Sequence, residues 1–390
     1  MSANRRTLAV LMAAIFLDLV GFGMLIPDFQ LRAEKLGAKG WVIGAILSSL
    51  FIVQFVVSPL WGAMSDRRGR RPVLLACSAL SAFAMLTYGF AGNLWIMLGS
   101  RIIGGFGAAN VVVAQAYIAD AFPPENRSVA LGRLGAALQA GLILGAALAG
   151  LITKVFGSEI IGFVAAASSG LGVLLLFLFL PSVEVKQEEQ PGKRPIINLA
   201  LLKDVPALTP LFILAAVAWF ALACLEGTFG RLIHHNLNYG QYEYGIVFSI
   251  ESITGVAAQS FLLAPVQKLM SSRLMVVCGY LLQGLGLVLM PFAPSLAALV
   301  IFGACYSLGT SISSPAVNGA CSTLTPEDRQ GEMFGLMQGA RSIGFVVGPL
   351  LGGALFDFRP ASPYLLAGVV SLAAAFLAPF AIPKKRQAVA

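Results

Sequence analysis

Five ionisable residues, Asp18, Arg101, Glu226, Glu251 and Arg341, lie inside apolar runs long enough to cross a lipid bilayer. A charge at bilayer depth costs about 2.5 to 3.5 kcal/mol on insertion scales, so each needs a partner, a watery cavity or a function. The chemistry open to such groups is proton exchange. A carboxylate in dry surroundings holds its proton more tightly and a nearby cation loosens it, so moving the acid between the two settings binds and releases a proton.

At about 1.5 Å of rise per residue, Asp18 lies about 15 Å from the inner end of its helix and Arg101 about 10 Å below the outer end of its own, depths that let the two approach. Glu251 and Arg341 each fall about 13 Å from an end, near the midplane, and form a second candidate pair. Glu226 falls near the outer surface, as a gate residue or a solvated one, and Asp28, just past Pro27, is expected to be solvated at the outer end. For Asp18, binding of a proton or a cationic substrate stands against a structural buried ion pair. Arg101 either tunes that acid or holds its half together, and Glu251 with Arg341 is equally readable as a structural pair.

Gln54, Asn110, Gln115, Gln139, Gln259, Gln283, Asn318 and Gln338 are further cavity-lining candidates, although each is also able to satisfy a helix carbonyl next to it. His234 and His235 have no third ligand in view, and Cys77, Cys224, Cys278, Cys305 and Cys321 lack metal-ligand spacing, so no metal site or disulfide framework is expected.

The elements that must position these groups are membrane helices. Of the 390 residues, 58% are hydrophobic and only 11% charged, against about 25% charged in a soluble domain. The runs predict twelve spans, at 8–28, 41–62, 73–91, 94–118, 128–152, 160–181, 208–230, 242–264, 274–292, 296–320, 332–356 and 362–382. Stretches such as "LGVLLLFLFL" do not alternate, which excludes membrane strands. The fold class expected is an all-α integral membrane protein.

The net charge of +8 is a topology signal rather than a sign of nucleic-acid binding. With the N-terminus inside, about seventeen Lys and Arg fall on one side and about six on the other. The basic set includes Arg5, Arg6, Arg67, Arg68, Arg70, Arg71, Lys193, Arg194, Lys384, Lys385 and Arg386, which places both termini in the cytoplasm. The first span carries Asp18 and lacks a small-residue cleavage site, so it reads as a helix and not a signal peptide.

A polar, proline-containing interval follows the sixth span and divides the chain into an N-terminal bundle (1–181), a cytoplasmic linker (182–207) and a C-terminal bundle (208–390). The halves repeat one another. "PENRSVALG" from Pro124 opens the fifth span and "PEDRQGEMFG" from Pro326 the eleventh, and Gly141, Gly145 and Gly150 align on Gly344, Gly348 and Gly353. Two parallel six-helix repeats, with a site at their interface, are a transporter architecture.

"GAMSDRRGRRP", Gly62 to Pro72, lies between the second and third spans and resembles the signature loop of the major facilitator superfamily at every fixed position. "RIIGGFGAAN" from Arg101 resembles that family's fourth-helix motif. "YIAD" from Tyr117, followed by Arg127, and "LDLVGFGMLIP" in the first helix resemble the tetracycline/proton antiporter branch. The resemblance covers nearly the whole chain. It implies two pseudo-symmetric bundles and a cytoplasmic latch in which Asp66 and Arg70, of a loop that also holds Gly62, Arg67 and Gly69, act with Asp120 at the end of the fourth helix. The branch's G-x-x-x-G-P-x-x-G-G motif is expected in the fifth helix, but Ala146 and Ala149 replace two of its residues there. The intact pattern, Gly344, Gly348, Pro349, Gly352 and Gly353, is in the eleventh helix, and a proline-induced bend is expected to move with it.

No phosphate-binding loop, H-E-x-x-H or G-x-S-x-G motif accompanies these features, so neither a primary pump nor an enzyme is expected. The resemblance implies a proton-coupled antiporter in a bacterial inner membrane, exporting a small amphipathic compound by alternating access. Protons and lipids would be its partners besides the substrate, the proton gradient its energy source, and a monomer its working form, with no cofactor. The altered fifth-helix motif keeps a second reading open, a symporter or facilitator importing a sugar, organic acid or lipid-like molecule.

Overall fold

The computed structural model describes residues 3–182, 200–326 and 329–381. Most of the expected linker, with Lys193 and Arg194, and the terminal Lys384, Lys385 and Arg386 lie outside the described residues. Among the described residues, twelve helices are long and apolar enough to cross a membrane, in the expected order: Arg5–Lys35, Gly40–Arg68, Arg70–Gly89, Leu94–Ala121, Val129–Phe156, Ser158–Phe179, Leu208–Leu237, Gln241–Leu269, Ser272–Phe292, Leu296–Leu324, Glu332–Phe358 and Ser362–Ala381. No strand occurs among the described residues. The protein is an all-α, multi-pass membrane protein. Its helices turn large apolar side chains such as Leu60, Phe376 and Phe380 outward, as lipid requires, while polar groups collect inside.

The first span runs seven residues past the expected end at 28, because Pro27 sits inside the helix rather than terminating it. Neighbouring groups can absorb the missing donor of an intramembrane proline. Gly69, with φ of 94°, makes the break between the second and third spans, a conformation that costs a residue with a Cβ about 1 kcal/mol or more. The fourth span is interrupted at Ala108 and Ala109, and the eighth loosens into a π-turn at Ala258–Leu262. Such turns gather at functional positions.

The chain forms two compact units, residues 1–193 with 238–249, and residues 194–237 with 250–390. The opening residues of the eighth span therefore belong to the first unit. Inside the first unit, span 1 packs on spans 5 and 6, and span 3 on spans 4 and 6. Inside the second, span 7 packs on 11 and 12, and span 9 on 10 and 12. Each pairing recurs six spans later, the packing counterpart of the sequence repeat.

Glycines allow the closest of these approaches. A Cβ on Gly141 would lie 2.7 Å from the carbonyl oxygen of Phe16. One on Gly344 would lie 2.6 Å from Trp219, and one on Gly348 2.6 Å from the Cβ of Ala223. Pro349 rests against Gly227, and Gly352 faces Cys224 and Thr228, while Gly353 is buried in the same span. The intact glycine–proline pattern thus packs span 11 on span 7, inside an unbroken helix.

Candidate functional site

In the first unit, Asp18 is 6% exposed and receives hydrogen bonds from three neutral donors: Ser81 at 2.7 Å, Ser169 at 2.5 Å and Asn110 at 2.7 Å. These come from spans 3, 6 and 4, so one acid ties four helices together. No hydrogen bond or ion pair joins Asp18 to Arg101, which corrects the pairing expected from depth alone. Rise per residue fixes height but not azimuth, and the Asp18 side chain faces hydroxyls and an amide instead of the guanidinium.

Arg101 lies one layer away, with its guanidinium 4.7 Å from the ring centre of Phe29 and 5.2 Å from that of Tyr88. Its neighbouring acid is Asp28, within electrostatic reach. Asp28 is fully buried, not solvated as expected. Its Oδ2 accepts from the Tyr88 hydroxyl at 2.6 Å, and its Oδ1 accepts from Gln241 at 2.6 Å. Arg32, one turn on, is 3.8 Å from the same carboxylate. Gln241 also accepts from Thr153 of span 5, so the head of span 8 is tied to spans 1 and 5 of this unit. The sequence carried a signal for this: Asp28 and Arg32 are spaced i,i+4, which matters only if the helix continues past Pro27.

At the Arg70 end of the unit, the guanidinium donates to Asp120 at 2.6 Å and to Ser65 Oγ at 2.6 Å, and it pairs with Asp66. Arg127 donates to the carbonyl of Phe122 at 2.9 Å, and Arg67 is exposed. A Cβ on Gly62 would meet nothing within 4 Å. Gln54 donates to the carbonyl of Ala108 at 3.3 Å, at the interruption in span 4, and is thereby used by the backbone. Gln115 and Gln139 are exposed.

The second unit holds the other charges. Arg341 is exposed, with its guanidinium 4.8 Å from the Trp219 ring centre and 5.5 Å from that of Phe345. The acid within its electrostatic reach is Glu226, not Glu251. Glu226 is therefore not at the outer surface, and it also faces Glu251. The expected Glu251–Arg341 pair gives way to a cluster of two acids and one base.

The carboxylate of Glu251 makes no hydrogen bond or ion pair with any described residue; its backbone oxygen accepts from Ser307 at 2.7 Å. Tyr306, 2% exposed, has a hydroxyl without a hydrogen-bond partner among the described residues and lies in the field of both glutamates. Nothing in the sequence singled out Trp219 or Tyr306, since aromatic residues are common in apolar helices. Elsewhere in this unit, Gln283 donates to Ser371 at 3.3 Å, and Arg231 lies 3.5 Å from Asp357. His234 and His235 are exposed, and no group of three metal-ligating side chains exists among the described residues.

Twelve spans with a six-span repeat, and charged groups held at membrane depth, define a polytopic transporter. The sequence pattern of the Major Facilitator Superfamily matches residues 11–232 and 211–389, and the chain belongs to that family. It is 28% identical over 372 residues to multidrug resistance protein 2 of Bacillus subtilis (strain 168), covering 93% of this chain and 92% of that one. It is 27% identical over 373 residues to quinolone resistance protein NorA of Staphylococcus aureus, covering 93% of each. Among solved structures, the nucleoside transporter NupG shares the fold, with a TM-score of 0.78 at 16% identity over 99% of this chain and 100% of that one. The protein is a membrane transporter of small molecules and not an enzyme.

Proposed function

We propose that this protein is a proton-coupled antiporter that exports small amphipathic, drug-like compounds by alternating access across a bacterial cytoplasmic membrane, with both termini in the cytoplasm. The relatives named for multidrug and quinolone resistance support the class of cargo and its direction. The observation that carries the coupling is Glu251, a carboxylate on a membrane span that has no hydrogen-bond or ion-pair partner among the described residues and faces a second acid, Glu226. Two carboxylates in one field disfavour simultaneous ionisation, so one of them takes up a proton or a cationic group of the cargo. Occupation by either displaces the other, which is antiport.

Asp18 fits this role less well, because three neutral donors satisfy it and no cation stands beside it to expel its proton. We assign it instead to holding spans 1, 3, 4 and 6 in place. Arg70, bonded to Asp120 and Asp66, stiffens the cytoplasmic end of the first unit. The proton gradient supplies the energy and the monomer is the working form. Proteoliposomes with an imposed pH gradient test the reading. Cargo should accumulate against its gradient in exchange for protons; proton and cargo moving in the same direction would establish symport instead.

A further inference from the structure

Arg101 is a buried charge to which antiport by Glu251 gives no task. It is 6% exposed, its Nε has no hydrogen-bond partner, and its guanidinium makes no hydrogen bond or ion pair with any described residue. Contact with the rings of Phe29 and Tyr88 gives its five N–H donors no acceptor atom. A buried guanidinium in that condition is costly, so an arrangement that supplies an acceptor is favoured.

The acceptor is close by. Tyr88 joins the two groups: its ring carries the Arg101 guanidinium at 5.2 Å, and its hydroxyl donates to Asp28 at 2.6 Å. Asp28 is already occupied, with Gln241 on Oδ1 at 2.6 Å, Tyr88 on Oδ2 and Arg32 at 3.8 Å. Tyr88 and Arg32 stand on spans 3 and 1, fixed parts of the first unit, whereas Gln241 stands on span 8, which is fastened to both units. The head of span 8 meets span 5 at the backbone, where a Cβ on Gly245 would fall 2.7 Å from the carbonyl oxygen of Ala146. Farther along, the carbonyls of Glu251 and Gly255 accept from Ser307 and Ser311 of span 10 at 2.7 and 3.3 Å. The changeover falls between Gly245 and Glu251, inside one continuous helix from Gln241 to Ala257. A transport cycle that carries the rest of span 8 with the second unit therefore pulls on Gln241.

We propose that Arg101 is a positioning residue for the transport cycle, the alternate partner of Asp28. When Gln241 withdraws with span 8, the Arg101 guanidinium turns to Oδ1, and the buried carboxylate is satisfied in both states. The assignment rests on the alternating-access reading above and adds a device to it. Two arrangements of one acid, each fully bonded, keep the docked and undocked states of the span 8 head close in energy. Without the second partner, undocking leaves a carboxylate short of donors in a dry site, and the docked state dominates.

The test is export of ethidium, a fluorescent amphipathic cation, from proteoliposomes that hold the full-length protein under an imposed pH gradient. Arg101→Gln should lower the maximal rate about tenfold, the scale of one charge-assisted hydrogen bond. Arg101→Lys, which keeps the charge and a donor, should recover part of the rate and serves if the glutamine variant does not fold. Gln241→Leu weakens the docked state, so adding it to Arg101→Gln should rebalance the two states and restore most of the rate, even as it lowers the unfolding midpoint. A purely structural Arg101 predicts the reverse, a double variant worse than either single one. A second measurement staples the head of span 8. Lys154 Nζ lies 4.8 Å from the Tyr242 ring centre, and both side chains are exposed, so Lys154→Cys with Tyr242→Cys can be bridged by a short thiol-specific cross-linker. Cross-linking should stop export and reduction should restore it. Export that persists after cross-linking, or an Arg101→Gln defect that Gln241→Leu does not relieve, overturns the exchange of partners while leaving antiport standing. Absence of gradient-driven ethidium movement by the wild type overturns both.

Discussion

The side-chain amide of Gln241 donates to Asp28 at 2.6 Å, joining residues 213 apart in the chain. Gln241 opens the eighth span, yet it belongs with spans 1 and 5, where its oxygen accepts from Thr153. Asp28 is fully buried and has Tyr88 as its other close donor. Gln241→Leu keeps the volume and removes the donor, leaving a buried carboxylate under-satisfied at a cost of about 1 to 3 kcal/mol. Thermal unfolding in detergent should show a lower midpoint, and Tyr88→Phe should act in the same direction. An unchanged midpoint in both would mean that the contact carries no stability.

Asp18→Asn replaces an acceptor of three hydrogen bonds with a group that is half donor, opposite the amide of Asn110. Loss of charge assistance and one unfavourable donor contact should destabilise the first unit by about 2 kcal/mol. Gradient-driven export per folded molecule should be retained. A stable Asp18→Asn protein that binds cargo but cannot concentrate it would return the coupling role to this acid.

Glu251→Gln fixes a neutral side chain beside Glu226. Exchange of labelled for unlabelled cargo should continue, whereas uphill export driven by an inward proton gradient should fall to background, and the rate should no longer respond to that gradient. Normal uphill export by this variant would rule out Glu251 as the proton carrier.

Arg70 and Asp120 form a contact at 2.6 Å in which Asp120 is 25% exposed, so solvent screens part of its energy. A double-mutant cycle with Arg70→Gln and Asp120→Asn should give a coupling of about 0.5 to 1 kcal/mol. Asp66→Asn should slow turnover without weakening cargo binding, since Asp66 is 58% exposed and far more solvated. Turnover unaffected by any of the three changes would argue against a mechanical part for this cluster.

Gly344→Ala places a methyl group 2.6 Å from the backbone and Cβ of Trp219, where the span 7 backbone must give way, and should cost about 1 to 3 kcal/mol. Gly62→Ala meets nothing within 4 Å and should be tolerated, although it belongs to the signature loop. Expression level and unfolding midpoint for the two variants check the contrast.

Hydropathy alone determined the twelve spans, and the repeat of Pro124 to Gly150 in Pro326 to Gly353 determined that the helices come in two matching sets. These features depend on chain composition and on a spacing that bilayer thickness enforces, so no tertiary information is needed to read them. The partners of the buried charges were another matter. Asp18 and Arg101 have compatible depths but face different neighbours. Glu226 faces Arg341 and Glu251 instead of the surface, and Asp28 is interior because the helix continues through Pro27. Depth follows from counting residues along one helix. Azimuth and packing depend on which glycines let two helices close and on how each helix is rotated, and those were decided only by the tertiary structure.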